Sequence, residues 1–124
     1  MTYSYDSQNI FARILRGEIP NKTVLDTVYA LAFRDIAPKA PLHILVIPKG
    51  AYVNADHFAT SASDAEIAGF AKAVAEVTRQ SGVNPDGGNG YRLIANAGEH
   101  GLQEVPHYHI HVLAGRHLGP MLVE

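Results

Sequence analysis

Apolar positions recur along this chain with two periods, and each period marks a kind of element. Between Asp64 and Gln80, Ile67, Phe70, Ala71, Val74 and Val77 gather on one side of a helical wheel, with Lys72, Glu76, Arg79 and Gln80 opposite. Ser63 and Glu66 have the spacing of a capping box, and Ser81-Gly82 supplies the stop. A shorter helix is expected where Ile10, Phe11, Ile14 and Leu15 share one side, with Ser7 as its cap. Gly17 lies just past its end, and Pro20 forbids continuation.

The second period is two, or an unbroken apolar run. Thr23–Thr27 and Ala30–Ile36 read as strands joined by a tight turn, with Val24, Val28, Leu31 and Phe33 at the apolar positions. Leu42–Ile47, between Pro41 and Pro48, reads as a strand buried on both sides. Tyr91–Ala95 is a further strand. Ala51–Thr60 shows no period and reads as a loop. Asn84–Gly90 is a turn cluster expected to form a hairpin-like connection. It lacks the Lys-Ser/Thr ending of a P-loop and the spacing of a dinucleotide fingerprint.

The last alternating run carries chemistry. In His107-Tyr108-His109-Ile110-His111-Val112-Leu113, three histidines alternate with Tyr, Ile and Val. A strand would place the imidazoles on one face, roughly 7 Å apart at the backbone. The other face could cover a core. His43, inside the Leu42–Ile47 run, reads alone as a structural histidine, and Asp35 reads alone as a turn residue. Beside the triplet both gain interest.

Composition narrows the choices. A chain of 124 residues, 47% hydrophobic and 18% charged, reads as one domain, residues 1–124. A net charge of -2 provides no basic footprint for a nucleic-acid polymer. With no cysteine there is no disulfide or zinc-thiolate site, which is compatible with a cytoplasmic location. Met1–Gln8 lacks the pattern of a signal peptide, and no apolar run approaches the length of a membrane span.

On residues alone, three readings of the histidines stay open. Alternating histidines can bind zinc, though no carboxylate stands at a standard ligand spacing. They can belong to a structural strand in a wet cleft. They can perform phosphoryl-transfer chemistry, since an imidazole with a pKa of about 6.5 is largely unprotonated and nucleophilic near neutrality.

The triplet resembles the histidine-triad (HIT) superfamily motif, His-φ-His-φ-His-φ-φ. Further stretches resemble its Hint branch: Ile10-Phe11, Gly17-Glu18-Ile19-Pro20, Ala32-Phe33-Arg34-Asp35-Ile36, Ala40–Lys49 and His109–Arg116. The resemblance implies an α+β fold with an antiparallel sheet of about five strands and two helices, the sheets joining across a homodimer. It implies metal-free hydrolysis of purine nucleoside phosphoramidates, with an AMP- or GMP-type ligand and no cofactor. By the motif, His109 is the nucleophile that becomes nucleotidylated. His107 stands at the leaving-group side and the α-phosphate, His111 contacts phosphate, and His43 supports the cluster. Asp35 takes the ribose hydroxyls. Phe11, Ile14, Ile19, Phe33 and Ile36 enclose the base. Asn96 and Gln103 line the phosphate and leaving-group region. Dinucleoside polyphosphate hydrolysis, nucleotidyl transfer, or a nucleotide-sensing role with incidental catalysis are the alternatives.

The chain departs from the animal-type pattern around the leaving-group loop. Glu104 stands where a hydroxyl residue is usual, Pro106 where an aromatic is usual, and Leu102 where glycine is common. A carboxylate at 104 would attract a cationic amine and repel a second phosphate.

Overall fold

Five strands form one antiparallel sheet in the order β1-β2-β3-β5-β4. The computed structural model describes residues 2–123; Met1 and Glu124 lie outside the described residues. The elements run α1 (Ile10–Leu15), β1 (Thr23–Asp26), β2 (Ala30–Arg34), β3 (Leu42–Pro48), α2 (Ala55–Ser61), α3 (Asp64–Gln80), β4 (Tyr91–Ile94) and β5 (Ile110–Ala114). The architecture is α+β, with three helices rather than the two expected.

The central strand β3 is apolar on both faces because both are covered. Ile44 and Val46 point into a core with Val112 of β5 and with Phe70, Ala73, Val74 and Val77 of α3. Leu45 and Ile47 point the other way, toward Leu31 and Phe33 of β2 and Phe11 and Ile14 of α1. Burying one such side chain contributes about 1.5–3 kcal/mol, so the alternation in β3 fixes which face is which. A slip of one residue would exchange the two cores.

The α3 helix keeps the predicted bounds, and the Ser63–Glu66 capping box is present. Its buried stripe differs slightly: Ala73 and Thr78 are inside, whereas Ala71 is exposed. The cap of α1 is Asn9, whose side chain accepts the Ala12 N–H, and not Ser7. Val28 lies in the β1–β2 turn and is exposed, outside either core. The stretch expected to be a loop contains α2. Asn54 caps it by accepting the His57 N–H at 2.9 Å, and Phe58 alone is buried. One buried residue in seven leaves no periodic signal. The glycine-rich 84–90 segment joins α3 to β4 and is therefore a helix-to-strand connection, not a hairpin.

The largest revision concerns the histidine strand. Ladder pairing of β5 starts at Ile110, opposite Val46, and not at His107. Continued register would set Tyr108 opposite Pro48, which has no N–H to donate. Tyr108 instead donates its N–H to the Tyr52 carbonyl at 2.7 Å. Its ring still reaches the α3 core, packing against Phe58 and Phe70 with 5.2 Å between centroids in each case. At the other end of β5, Gly115 has φ +103°, and a Cβ there would fall 2.7 Å from Pro41. Only glycine fits that exit.

Candidate active site

The site lies on the α1 face of the sheet. His43 on β3 pairs in register with Leu113, and His111 on β5 pairs with Leu45, so the two histidines are diagonal neighbours on that face. Their rings meet, His43 Nε2 lying 2.8 Å from His111 Nδ1. His109 follows, with its centroid 5.0 Å from that of His111. Asp35, just past β2, brings Oδ2 to 3.4 Å from His43 Nε2. Its other oxygen accepts the Ala37 N–H at 2.8 Å, so the carboxylate both closes a turn and faces the histidines.

Hydrogen bonding to the backbone assigns the protons on these rings. The Lys39 N–H donates to His43 Nδ1 at 3.0 Å, so a neutral His43 carries its proton on Nε2 and donates to His111 Nδ1. His111 then carries its own proton on Nε2. His109 Nδ1 is 2.7 Å from the His107 carbonyl, which can only accept. The His109 proton is therefore on Nδ1, and its Nε2 has a free lone pair. The pair thus offers one bare imidazole nitrogen beside one N–H donor.

Burial keeps these rings neutral. Loss of solvation lowers His109 below the usual imidazole value, opposed by its bond to the His107 carbonyl and by the charges of Asp35 and Glu104. Burial also lowers His43. Burial, reinforced by neighbouring His109 and His43, pushes His111 down to about 4. His109 is thus held in the unprotonated form a nucleophile requires.

His107 does not stand where the motif alone suggested. Its side chain is 0% exposed, with Nε2 2.8 Å from the Pro48 carbonyl and Nδ1 2.6 Å from the Tyr5 hydroxyl. With both nitrogens engaged by protein groups, it sits behind the reacting face and has no atom for a leaving group or an α-phosphate. Burial pushes its pKa down to about 4.

The apolar residues expected around the base divide. Phe11, Ile14 and Phe33 belong to one buried cluster, with Ile19 packed at its margin. Phe11 sets its edge against Phe33 at 5.6 Å and against His109 at 5.0 Å. Ile36 stands apart, 95% exposed beside Asp35. Asn96 follows Ile94, the β4 partner of His111. The Gln103 amide donates to the carbonyls of Val53, at 2.6 Å, and Val105, at 3.0 Å. It ties down the loop, and its side-chain oxygen is left free to accept. Glu104 is exposed, and its charge is felt at His109.

Tyr5, the Lys39 amide and the Pro48 and Tyr52 carbonyls were not identifiable from the motif. Backbone groups leave no trace in residue type, and Tyr5 is 102 positions from its partner. For a metal, Asp35, His43 and His111 place one ligand atom each within 4.8 Å of one another. A cation held there would have to displace the proton shared by His43 and His111.

His107, His109 and His111 alternate into a strand laid against the central strand of an open antiparallel sheet, the arrangement of the histidine-triad class. Residues 16–118 match the HIT domain, and the chain belongs to that family. It is 60% identical over 124 residues to an uncharacterised 13.2 kDa HIT-like protein of Azospirillum brasilense, covering 100% of this chain and 99% of that one. It is 42% identical over 115 residues to the purine nucleoside phosphoramidase of Escherichia coli K12, covering 93% of each. A solved histidine triad protein from Clostridium difficile superposes with a TM-score of 0.79 at 34% identity, covering 94% of this chain and 98% of that one.

Proposed function

We propose that this chain is a nucleotide hydrolase of the Hint branch that cleaves the P–N bond of purine nucleoside phosphoramidates and releases the nucleoside 5′-monophosphate. The observation that carries the reading is the proton placement at His109: Nδ1–H tied to a backbone carbonyl, Nε2 bare. The similarity to a purine nucleoside phosphoramidase supports the substrate class.

The reaction has two steps. His109 Nε2 donates its lone pair to the α-phosphorus, the P–N bond breaks with its electrons on nitrogen, and the amine leaves after taking a proton from solvent, which the second step returns. The Nε2–H of His111 faces the phosphoryl oxygens as a hydrogen-bond donor. Water then adds to phosphorus and the P–Nε2 bond breaks. One water proton is released, which leaves a free monophosphate and a neutral His109. Asp35 offers paired acceptors to the ribose hydroxyls. Phe11 and Phe33, with Ile14 and Ile19, form the apolar floor on the base side, and Ile36 closes over the base on ligand entry. Gln103 offers its oxygen on the leaving-group side.

A homodimer completes the reading. Tyr91 and Leu93 lie on the outer strand β4 and are 40% and 41% exposed. They alternate onto the same face as Val112, and a second β4 would cover them. No helix among the described residues is long and apolar enough to cross a membrane. The cytoplasm is the proposed location.

The test is incubation with adenosine 5′-phosphoramidate, with and without a chelator. AMP release insensitive to chelation, with a covalent adduct on His109 by mass spectrometry, supports the reading. His109→Ala should abolish turnover and still bind AMP. Turnover by that variant rejects His109 as nucleophile, and binding without turnover by the unaltered chain favours a sensor.

A further inference from the structure

Residues 107–109 have no place in the sheet ladder, which begins at Ile110. The nucleophile is therefore oriented by something other than strand pairing. His109 is oriented by one bond, from its Nδ1–H to the His107 carbonyl. That carbonyl is held on both sides: its own peptide's Tyr108 N–H donates to the Tyr52 carbonyl at 2.7 Å, and the His107 side chain is gripped at both ends by the Pro48 carbonyl and the Tyr5 hydroxyl.

The two grips impose one arrangement of protons. Pro48 offers only an acceptor, so His107 Nε2 carries the hydrogen. Nδ1 is then bare, and the Tyr5 hydroxyl donates to it. The other tautomer would set a bare Nε2 against a carbonyl oxygen. Without the hydroxyl, a buried acceptor is left unpaired at a cost comparable to a lost hydrogen bond.

The segment carrying Tyr5 is anchored for this task. Tyr3 donates to Asp56 and stacks on His57 with 4.8 Å between centroids. The Arg16 guanidinium donates to the Ser7 carbonyl at 2.6 Å. Tyr5 thus reaches His107 from a strap held on both sides of it. This strap precedes the residues that define the domain, and none of the motif positions requires it.

We infer that Tyr5 is a positioning residue for the nucleophile: its hydroxyl locks the orientation of the His107 ring, whose tautomer the Pro48 carbonyl sets, and so steadies the His107 carbonyl that keeps the proton of His109 on Nδ1. The inference rests on His109 as nucleophile, but its first test needs no substrate. In protein labelled with 15N-histidine, long-range proton–nitrogen correlations separate bare from protonated ring nitrogens. In the unaltered chain His107 should carry its proton on Nε2 and His109 on Nδ1. In Tyr5→Phe, His107 should keep its Nε2 proton against Pro48 but lose its fixed ring orientation, and His109 should gain a population protonated on Nε2 as the carbonyl that holds its Nδ1–H shifts. With adenosine 5′-phosphoramidate, kcat should fall roughly tenfold, the rate equivalent of about one hydrogen bond, with KM within about twofold. Tyr29→Phe, whose ring packs against Gly69 of α3 and not on the strap, should keep the original tautomers and kcat. An unchanged His109 tautomer in Tyr5→Phe overturns the inference, as does an altered His109 tautomer with unaltered kcat. If the unaltered chain fails to turn over phosphoramidates, the function reading falls, and the tautomer measurement still decides whether Tyr5 governs His109.

Discussion

His43 Nε2 lies 2.8 Å from His111 Nδ1, across the diagonal of the β3–β5 pair. That bond joins the Nε2–H of one neutral ring to the bare Nδ1 of the other. The same neutrality holds for His107 and His109, and it has a consequence for stability.

Unfolded histidines titrate near pH 6.5, whereas folded His107 and His111 do so at about 4. Between those values the unfolded chain binds protons that the folded chain refuses. Stability is therefore complete above about pH 6.5 and declines as the pH falls toward 4. For His107 alone the loss is on the order of 3 kcal/mol. Urea midpoints at pH 7.5, 6.0 and 4.5 should decrease in that order. A flat profile would show that these rings protonate freely in the folded state.

Asp35→Asn should separate ribose recognition from chemistry. Asparagine retains an oxygen for the Ala37 N–H, so the turn persists, while one charged acceptor is lost. KM for a ribonucleoside phosphoramidate should rise roughly tenfold, in keeping with about 1.5–3 kcal/mol for a hydrogen bond to a charged group. A 2′,3′-dideoxy substrate should be turned over equally by both proteins. Equal loss on both substrates would point instead to the contact between Asp35 and His43.

Glu104→Ser removes the exposed charge that is felt at His109. The ratio of alkyl phosphoramidate to dinucleoside polyphosphate turnover should shift toward polyphosphate by roughly fivefold at low salt, and less at high salt. Unchanged relative rates would remove Glu104 from substrate selection.

Leu102 has φ +55° and is the only non-glycine residue with positive φ among the described residues. Its side chain is 77% exposed, so strain there is not offset by burial. A left-handed leucine costs about 1–2 kcal/mol, and glycine returns part of that through chain entropy. Leu102→Gly should be as stable as the original chain or up to about 1 kcal/mol more stable in thermal unfolding. A clear destabilisation would mean that the leucine side chain holds the loop.

Legibility varied with the kind of information each feature carries. The α3 helix was readable to the residue because its cap and its stop are side-chain signals. The apolar run of β3 declared a doubly covered strand, and the structure covers both faces. By contrast, α2 buries only Phe58, so nothing periodic marked it. The start of β5 was misplaced because alternation of residue types continues through His107–His109 after the ladder has ended at the register of Pro48. Alternation also made the three histidines look equivalent. Their difference comes from bonds to the Lys39 amide, the Pro48 carbonyl and the Tyr5 hydroxyl, which no spacing rule encodes.

The bond between Tyr5 and His107 spans 102 positions, and His111 depends in turn on residues near position 40. Such contacts form late, after long loops have closed. A chain still emerging from the ribosome carries Tyr5 and His43 long before His107, His109 and His111 are made. Catalytic competence should therefore arise only when these distant segments join, so that turnover of a reporter substrate times the closing of that contact.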